Sequence, residues 1–380
     1  MSNTPQIRFA GFTDAWEQRK LGEVITVGNG MDYKHLSEGD IPVYGTGGYM
    51  LSVDKALSYD KDAIGIGRKG TIDKPYVLKA PFWTVDTLFY CIPKKDYTLD
   101  FVYCIFQNVN WKEKDESTGV PSLSKVNINS TDVKVPALAE QEKIGAYFSH
   151  LDTLITLHQR KCDALQRFKK AMLQKMFPQH GESVPEIRFA GFTDAWEQRK
   201  LSELIEENQK PVPKPDGEYV RLGIRSHAKG TFHEVVAQGE GLDVDTMYVV
   251  EADNLIINIT FAWEEAWAIT TEKDAEKLVS HRFPQYRFHQ GQYPMFYQYR
   301  FRNGRMKYNL ELASPGGAGR NRVLNKTEFM KILVTIPKSY DEQKEIGTFF
   351  ARLDNLITLH QRKLETLQKM KKSLLQKMFV

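Results

Sequence analysis

Two long stretches of this 380-residue chain nearly repeat each other. Glu140–Phe177 is EQEKIGAYFSHLDTLITLHQRKCDALQRFKKAMLQKMF, and Glu342–Phe379 is EQKEIGTFFARLDNLITLHQRKLETLQKMKKSLLQKMF. Neither stretch contains proline, and its apolar residues recur at alternating steps of three and four positions. This spacing predicts two helices of about 57 Å, at ~1.5 Å per residue, that pair with each other as a coiled coil.

The apolar stripe of each helix includes a histidine, His158 or His360, which we interpret as a packing residue rather than a metal ligand. The steps of the stripe change order once, near Phe168 and Met370. The remaining stripe positions are Ile144, Phe148, Leu151, Ile155, Cys162, Leu165, Met172 and Met176 in the first helix, and Ile346, Phe350, Leu353, Ile357, Leu364, Leu367, Leu374 and Met378 in the second.

A shorter repeat, which we call the box, precedes each helix at a distance. Ile7–Leu21 is IRFAGFTDAWEQRKL, and Ile187–Leu201 is identical. Its last part, AWEQRKL, predicts a short helix. Identical boxes are expected if they pack against identical helices, and also if they are docking sites for a partner; the two interpretations are compatible. The docking candidates are Phe12, Trp16, Phe192 and Trp196, together with Leu151, Ile155, Leu353 and Ile357 on the helices.

Between box and helix lie two unlike segments, residues 22–139 and 202–341, which we call the inserts. The resulting division is a first domain (1–139, box 7–21), a first helix (140–177), a linker (178–186), a second domain (187–341, box 187–201) and a second helix (342–380). Pro178, Gly181 and Pro185 suit a linker. The sequence predicts mixed α/β inserts, with strands at 62–67, 83–91, 133–136, 255–260 and 332–337 and helices at 99–109 and 293–303.

The net charge of +4 is concentrated in the helices. The first insert has 13 Lys/Arg against 15 Asp/Glu (13 − 15 = −2), and the second has 18 against 19 (−1). The helices have 7 against 4 (+3) and 8 against 4 (+4). The inserts therefore cannot bind nucleic acid as uniformly basic blocks, and any such binding requires local clusters.

The compartment is predicted from cysteines and hydropathy. Cys91, Cys104 and Cys162 form no C-x-x-C pair, which argues against a disulfide framework or a zinc site. No apolar run approaches the ~20 residues of a membrane span, and the N-terminus lacks a signal-peptide pattern. We expect a cytoplasmic protein without membrane contact.

No catalytic centre is recognised in the sequence. Gly65–Gly70 (GIGRKG) has the spacing of a dinucleotide-binding turn, but Pro75 stops the helix that such a site requires. We interpret it as a glycine-rich turn that exposes Arg68 and Lys69 for phosphate or base contact, with a solvated hairpin tip as an equally good alternative. Ala80–Trp83 (APFW) lacks the polar residue and second proline of an adenine methyltransferase loop.

Two loops occupy matching places before the last strand of each insert: Ser117–Lys125 (STGVPSLSK) and Ser314–Arg322 (SPGGAGRNR). Small residues let the backbone approach DNA, and arginine and asparagine pair with guanine and adenine. Merely solvated side chains are the alternative at each position. The candidate DNA-binding residues are Arg68, Lys69, Lys74, Ser117, Thr118, Lys125, Arg221, Arg225, His227, Lys229, Arg282, Arg320, Asn321 and Arg322.

The chain resembles the specificity subunits of type I restriction-modification enzymes. The resemblance rests on the duplicated FTDAWEQRKL box, the S-T-G or S-P-G-G loop before a strand that ends in proline, the EQ-x-x-I-G opening and the L-D-x-L-I-T-L-H-Q-R-K helix that ends in LQKMF. It implies an α+β fold with a pseudo-twofold internal repeat, in which two mixed α/β target-recognition domains are separated by two long antiparallel coiled-coil helices.

The resemblance also implies the function. Each domain would read one half of a bipartite double-stranded DNA target, and the chain itself would be non-catalytic. Two modification subunits would methylate adenine with S-adenosylmethionine, and two restriction subunits would supply ATP- and Mg-dependent chemistry, so no cofactor is expected on this chain. The alternatives are a scaffold that pairs two proteins without DNA and a fused methyltransferase or nuclease half, which would need a cofactor loop.

Overall fold

The computed structural model describes residues 4–179, 181–316 and 322–380. The chain forms two compact units: Met1–Lys161 with His360–Val380, and Cys162–Leu359. Each long helix therefore contributes one part to each unit. The helices span Leu138–Lys175 and Tyr340–Met378, which confirms the two repeated helices. None of the helices in the described ranges is long and apolar enough to cross a membrane.

The first unit contains two main sheets. The elements in chain order are β1 (Glu17–Lys20), α1 (Leu21–Val24), β2 (Ile25–Asn29), β3 (Glu38–Gly45), β4 (Gly48–Val53), β5 (Ala63–Gly67), β6 (Tyr76–Leu78), β7 (Trp83–Thr84), β8 (Leu88–Pro93), α2 (Leu99–Asn108), α3 (Lys125–Ser130), β9 (Asp132–Val135) and α4 (Leu138–Lys175). One sheet has the order β2-β8-β5-β6 and is antiparallel, and the other has the order β4-β3-β7, with β3 and β7 parallel.

The second unit repeats this topology in a different sequence. Its elements are β10 (Glu197–Lys200), β11 (Ile205–Glu207), β12 (Lys210–Pro213), β13 (Tyr219–Ile224), β14 (Thr231–Val236), β15 (Thr246–Val249), β16 (Asn254–Ile257), β17 (Trp267–Ile269), β18 (Leu278–Val279), β19 (Gln285–Phe288), α5 (Pro294–Arg300), α6 (Gly304–Leu312), α7 (Lys326–Met330), β20 (Leu333–Ile336) and α8 (Tyr340–Met378). The sheet β11-β19-β16-β17 matches β2-β8-β5-β6, and β14-β13-β18 matches β4-β3-β7. β12 and β15 extend the second sheet.

The prediction of a short helix at the end of the box was wrong. Glu17–Lys20 is strand β1, which pairs antiparallel with β9, and Glu197–Lys200 is β10, which pairs with β20. One α-helical turn begins at the last residue of the first box, Leu21–Val24, and one 3₁₀ turn, Leu201–Glu203, lies at the corresponding place in the second. Tertiary pairing with the last strand of each insert therefore overrides the local helical preference of EQRK.

One other strand prediction and one turn prediction need correction, while the predicted strand at 62–67 is confirmed as β5. Residues 83–91 form two strands in different sheets. They are separated by a turn in which the N–H of Leu88 donates to the carbonyl of Val85 at 2.9 Å. Gly65 and Gly67 of GIGRKG lie in buried β5, whereas Gly70 lies in the turn that follows, with a φ of 91°; Arg68 and Lys69 are exposed in this turn. A Cβ at Gly67 would lie 2.0 Å from the carbonyl oxygen of Thr71, so the close approach of this backbone requires glycine.

The glutamate and glutamine that open each long helix attach it to the box and the insert. The guanidinium of Arg8 donates two 2.7 Å hydrogen bonds to Glu140, and Arg188 binds Glu342 in the same way. The next residue, Gln141, accepts the N–H of Thr98 and donates to the carbonyl of Pro136. Gln343 does the same with Tyr293 and Pro337. These contacts explain why the glutamate–glutamine pair occurs at the start of both long helices.

Each box tryptophan packs in the core of its own unit. Trp16 makes edge contacts with Phe101 and Phe379, and Trp196 with Phe177 and Phe296. Their exposed fractions are 1% and 4%, so both serve packing rather than a surface contact. Phe12 and Phe192 are half-buried, and Leu151, Leu353 and Ile357 are buried while Ile155 is half-buried.

The apolar stripes are confirmed except where their steps change order. Phe168 and Met370 are exposed by 45% and 38%. The neighbouring lysines turn inward instead: Lys371 donates to Asp152 at 2.5 Å in the first unit, and Lys169 pairs with Asp354 in the second. The Nδ1 atoms of His158 and His360 lie 2.9 Å apart, as expected for packing residues in the seam. Within each unit the two helix segments run antiparallel.

Candidate nucleic-acid interface

In the first unit, two of the predicted loops lie side by side. The turn after β5 and the loop before α3 are joined by backbone hydrogen bonds: the N–H of Leu123 donates to the carbonyl of Arg68 at 2.9 Å, and that of Gly70 donates to Pro121 at 2.8 Å. Lys69 and Ser122 form an isolated β-bridge. The exposed cations of one loop therefore stand beside the small residues of the other, as DNA contact requires.

The loop before α3 is held in shape by Asp115. One of its carboxylate oxygens accepts the N–H of Ser122 at 2.9 Å and both the N–H and hydroxyl of Ser117, at 3.0 and 2.9 Å. These bonds, led by the one from Ser122, lower the pKa of Asp115 below its usual value. Thr118 at the tip is exposed. Ser117 is therefore a shaping residue, with Thr118 free for contact.

Two candidates of the first insert lie away from this tip. Lys125 is the first residue of α3 and is half-buried, so it is less accessible than Arg68 and Lys69. Lys74 is exposed but lines a groove that also includes Asp152 and Lys371 of the long helices. The first unit thus gathers Arg68, Lys69 and Thr118 at one surface, while Lys74 belongs to the helix side.

In the second unit, several predicted loops surround the segment that follows β16. The N–H groups of His227 and Ala228 donate to the carbonyls of Glu264 and Glu265, at 2.7 and 2.9 Å. His227 has a positive φ of 61°, which turns the chain so that Arg225, His227 and Lys229 are all exposed. This loop therefore presents three basic side chains around residues 258–266.

Two further candidate cations of the second unit, Arg282 and Arg322, contact the same segment. Arg282 is exposed and donates to the hydroxyl of Thr260 at 3.3 Å. The guanidinium carbon of Arg322 lies 5.5 Å from the centre of the Trp263 ring, which orients this arginine through a cation–π contact. Arg320 and Asn321 lie outside the described residues.

Arg221 does not join this group. It lies on β13 and forms an ion pair with Glu234 at 2.6 Å on the paired strand β14. Because its charge is already neutralised by a protein carboxylate, Arg221 is the least suited of the candidates to bind phosphate. The sequence showed only the Arg-rich segment RLGIRSHAKG and could not distinguish a strand residue from the loop residues that follow.

Sequence reasoning missed the centre of this surface. Phe261 is exposed by 37% and Trp263 is half-buried beside Arg322, in the turn between β16 and β17. Arg302 was also missed; its Nη2 donates to the carbonyl of Ala228 at 3.0 Å. The signal in the sequence was an aromatic pair, FAW, shortly after the buried strand β16, which is equivalent to the strand β5 that Arg68 follows.

The same backbone bond assembles the loops in both units. In the first, Leu123 donates to Arg68; in the second, the N–H of Leu324 donates to the carbonyl of Ile259 at 2.8 Å. The two acceptors lie just after the third strand of the equivalent sheets: Arg68 directly follows β5, and Ile259 lies two residues after β16. Each donor immediately precedes the residue whose side chain caps the next helix, Ser124 or Asn325. Two unlike sequences therefore present their loops at one topological position.

The family is shown by a sequence match over most of the chain. Residues 13–167 and 193–369 both match the family model described as "Type I restriction modification DNA specificity domain". The chain belongs to this family. The two matches cover the two box–insert–helix repeats. These repeats differ from the two units, because the C-terminal part of each long helix belongs to the other unit.

Among curated proteins, the chain is similar to the type I restriction enzyme MjaVIII specificity subunit of Methanocaldococcus jannaschii, with 25% identity over 123 residues. That match spans 30% of this chain and 29% of the relative. Among solved structures, it is similar to the type I restriction-modification system S subunit from M. genitalium, with a TM-score of 0.67, 13% identity and 99% of each chain covered. The latter likeness concerns the fold alone, and it agrees with the predicted α+β repeat.

Neither a metal cluster nor a dinucleotide-binding turn at GIGRKG is supported by the geometry of the described residues. In the part of the chain that the structure describes, no three His, Cys, Asp or Glu side chains are grouped to hold a metal ion. Cys91, Cys104 and Cys162 are free and buried. Gly65 and Gly67 of GIGRKG are in strand β5, and the next element in the chain is strand β6, so GIGRKG forms no phosphate-binding turn at a helix start.

Proposed function

We propose that this chain is a DNA-specificity subunit in which each unit reads one half of a bipartite double-stranded target. The observation that carries the proposal is the repeated loop assembly, Leu123 with Arg68 and Leu324 with Ile259. It places basic and aromatic side chains at the same position of two inserts whose sequences differ. Equivalent placement with different chemistry is what two unlike half-sites require.

The partners follow from the family. We propose that two modification subunits use the chain to find adenines for S-adenosylmethionine-dependent methylation, and that two restriction subunits add ATP- and Mg-dependent activity. The chain itself is proposed to be non-catalytic. In keeping with this, purified chain mixed with S-adenosylmethionine and host DNA should transfer no methyl group; methylation without a partner would overturn this part of the proposal.

The division of labour between the units is tested with paired loop variants. Arg68→Ala with Lys69→Ala should alter preference only in one half of the target, and Arg282→Ala with Arg322→Ala only in the other. A lost base contact should cost about 1–3 kcal/mol at one position, whereas a lost phosphate contact weakens all sequences and lowers the salt dependence. Arg221→Ala is the matched control, because that arginine is already paired with Glu234.

The readout is the map of methylated adenines made by each variant with its modification subunits, together with DNA-binding affinity over a range of salt. If a variant in one insert changes preference in both halves, the units do not read independently. If both double variants bind and direct methylation like the original chain, the assembled loops are not the DNA surface.

The exchange of whole inserts gives a second test of the same proposal. Replacing residues 22–139 by a different insert of this family should change one half of the target and leave the other half unchanged. The ion pair of Arg8 with Glu140 involves only residues outside the exchanged segment, so the box and the helix remain joined.

A further inference from the structure

A cavity of about 810 Å³ lies in the second unit, between the end of α4, the segment that follows it, and the α5–α6 region. Its lining is rich in positive charge and contains few carboxylates. The cations are Lys169, Lys170, Arg300, Arg302 and Arg305, and the carboxylates are Asp354 and Glu182. The balance is 5 − 2 = +3, although the insert as a whole is slightly acidic.

Most of these cations have no protein counter-charge. Lys169 is paired with Asp354, and Glu182 accepts only a backbone N–H, from Gln179 at 3.3 Å. Within the described ranges, no carboxylate oxygen lies within 4.0 Å of the other four cations. Lys170, Arg302 and Arg305 are exposed, so their charges are accessible to an anion from solvent. An anion in the cavity would also reduce the repulsion between these like charges.

Arg300 is the most buried member of the group. Its Nε donates to the carbonyl of Thr335 at 2.7 Å, which fixes the guanidinium at the wall of the cavity. Burial, with a further contribution from the positive charge of Arg305, lowers the pKa of Arg300 to about 10. A cation in such surroundings is stabilised by a hydrogen-bonding anion.

The equivalent groove in the first unit, of about 600 Å³, provides a comparison within the same chain. The helix residues are the same there: Asp152, Lys371 and Lys372 replace Asp354, Lys169 and Lys170. Adding Lys74 and Asp73, its balance is only 3 − 2 = +1. The excess positive charge is therefore a property of the second insert and not of the repeated helices.

The difference lies at the end of α5, the helix that follows β19, and in the residues from there to the start of α6. Thr98 and Tyr293 make the same hydrogen bond to a long-helix glutamine, so positions counted from them correspond. The positions of Arg300, Arg302 and Arg305 are then occupied in the first insert by Ile105, Gln107 and Asn110. A purely structural role in holding insert and helix together would not need arginines in one copy and neutral residues in the other.

We propose that this cavity binds a phosphate-bearing anion, held by the guanidinium groups of Arg300 and Arg305 with Lys170 adding positive charge. The planar guanidinium group donates two parallel hydrogen bonds to phosphate oxygens, and the volume is in the range of small-ligand sites. The phosphate belongs either to a free nucleotide-like ligand or to the backbone of bound DNA. Arg302, which lines the cavity, also donates to the carbonyl of Ala228 in one of the candidate base-reading loops. The DNA source therefore rests on the proposed function, whereas the free-ligand source does not.

Isothermal titration calorimetry of the full chain with inorganic pyrophosphate tests the proposal. We expect saturable binding of one pyrophosphate per chain. Lys170→Gln and Arg305→Gln, both at exposed positions, should each weaken binding about tenfold, the usual effect of one lost charged hydrogen bond. The matched controls are Lys372→Gln and Asn110→Gln in the first unit, which should leave the affinity unchanged.

Two results would overturn the proposal: absence of saturable binding to the original chain, or equal weakening by Lys170→Gln and Lys372→Gln, which would indicate general surface attraction. Adding a random-sequence DNA duplex then identifies the source. If the duplex displaces pyrophosphate and Arg305→Gln weakens DNA binding, the site holds a DNA phosphate. If pyrophosphate and DNA bind together, it holds a free ligand.

Discussion

The ion pair between Arg188 and Glu342 should be one of the strongest stability determinants of the second unit. The exposed fractions of the two side chains are 11% and 1%, and both carboxylate oxygens accept from the guanidinium group at 2.7 Å. Replacing Arg188 with Met leaves the carboxylate buried without a counter-charge. Such a change costs about 3–5 kcal/mol. For a unit of 198 residues (162–359) at roughly 2–4 °C per kcal/mol, Tm should fall by roughly 6–20 °C.

Removing both partners should cost less than removing the arginine alone. In Arg188→Met with Glu342→Leu no charge remains buried, but the Nε1 of Trp196 loses the acceptor that Glu342 provides at 3.1 Å. One unsatisfied buried donor costs about 1–3 kcal/mol. The first unit provides the control: the Nε1 of Trp16 has no hydrogen-bond partner, so Arg8→Met with Glu140→Leu should be close to neutral.

Thermal unfolding by calorimetry, with tryptophan fluorescence as a second probe, measures these effects for the two single variants and the double variant in each unit. The reasoning is refuted if the Arg188 and Glu342 effects simply add. It is also refuted if Arg188→Met lowers Tm no more than an exposed substitution such as Arg352→Met. Equal costs for the two double variants would show that the bond to Trp196 contributes nothing.

Three further predictions concern the loop, the helix seam and the spacing of the target. Asp115→Ala should speed hydrogen exchange at the amides of Ser117 and Ser122 and should weaken DNA binding. In the original chain, folding lowers the pKa of the Asp115 carboxyl, so its hydrogen bonds stabilise the fold fully at a pH above the pKa that this group has in the unfolded chain. This stabilisation should be lost as the pH falls through the lowered pKa of the folded chain. Phe168→Ser should change the free energy of unfolding by less than about 0.5 kcal/mol, whereas Phe148→Ala should cost about 3–5 kcal/mol in chemical denaturation; equal costs would contradict the exposure of Phe168. Inserting one heptad into both long helices adds ~10 Å, and the methylation map should show a gap longer by about three base pairs, with unchanged half-sites; an unchanged gap at full efficiency would exclude the helices as the spacer.

The long helices could be predicted from sequence because a 38-residue periodic pattern without proline has few alternatives. The failures have physical causes. EQRK is a strand because β9 and β20 pair with it, and that pairing is non-local. Phe168 is exposed because Lys169 forms an inward ion pair with Asp354, a partner 185 residues away. The local sequence pattern shows neither the strand pairing nor the ion pair, because the partners in both are far apart in the sequence.

The candidate DNA surface was predicted only in part for the same reason. The glycine-rich loops identified Arg68, Lys69, Arg225 and Arg322 by composition, but their assembly depends on which strand ends are neighbours in the sheet. The Phe261–Trp263 turn was missed because aromatic residues after an apolar strand usually indicate core. Arg221 was included because it lies close in the sequence to the basic loop residues of RLGIRSHAKG. Its position on a strand and its ion pair with Glu234 are visible only in the structure.

The two units separate what must stay constant from what can vary. The constant contacts involve side chains: Arg8 or Arg188 with its glutamate, and each glutamine with a proline carbonyl, so these residues recur in both copies. The contacts that bring the loops together are backbone bonds, Leu123 to Arg68 and Leu324 to Ile259, which place no demand on the acceptor's side chain. An arginine in one unit and an isoleucine in the other therefore occupy related places without loss of the assembly. Loop chemistry can change by substitution while the scaffold that positions it is kept. Under the proposed function, this separation is the physical basis on which one repeated architecture reads two different half-sites.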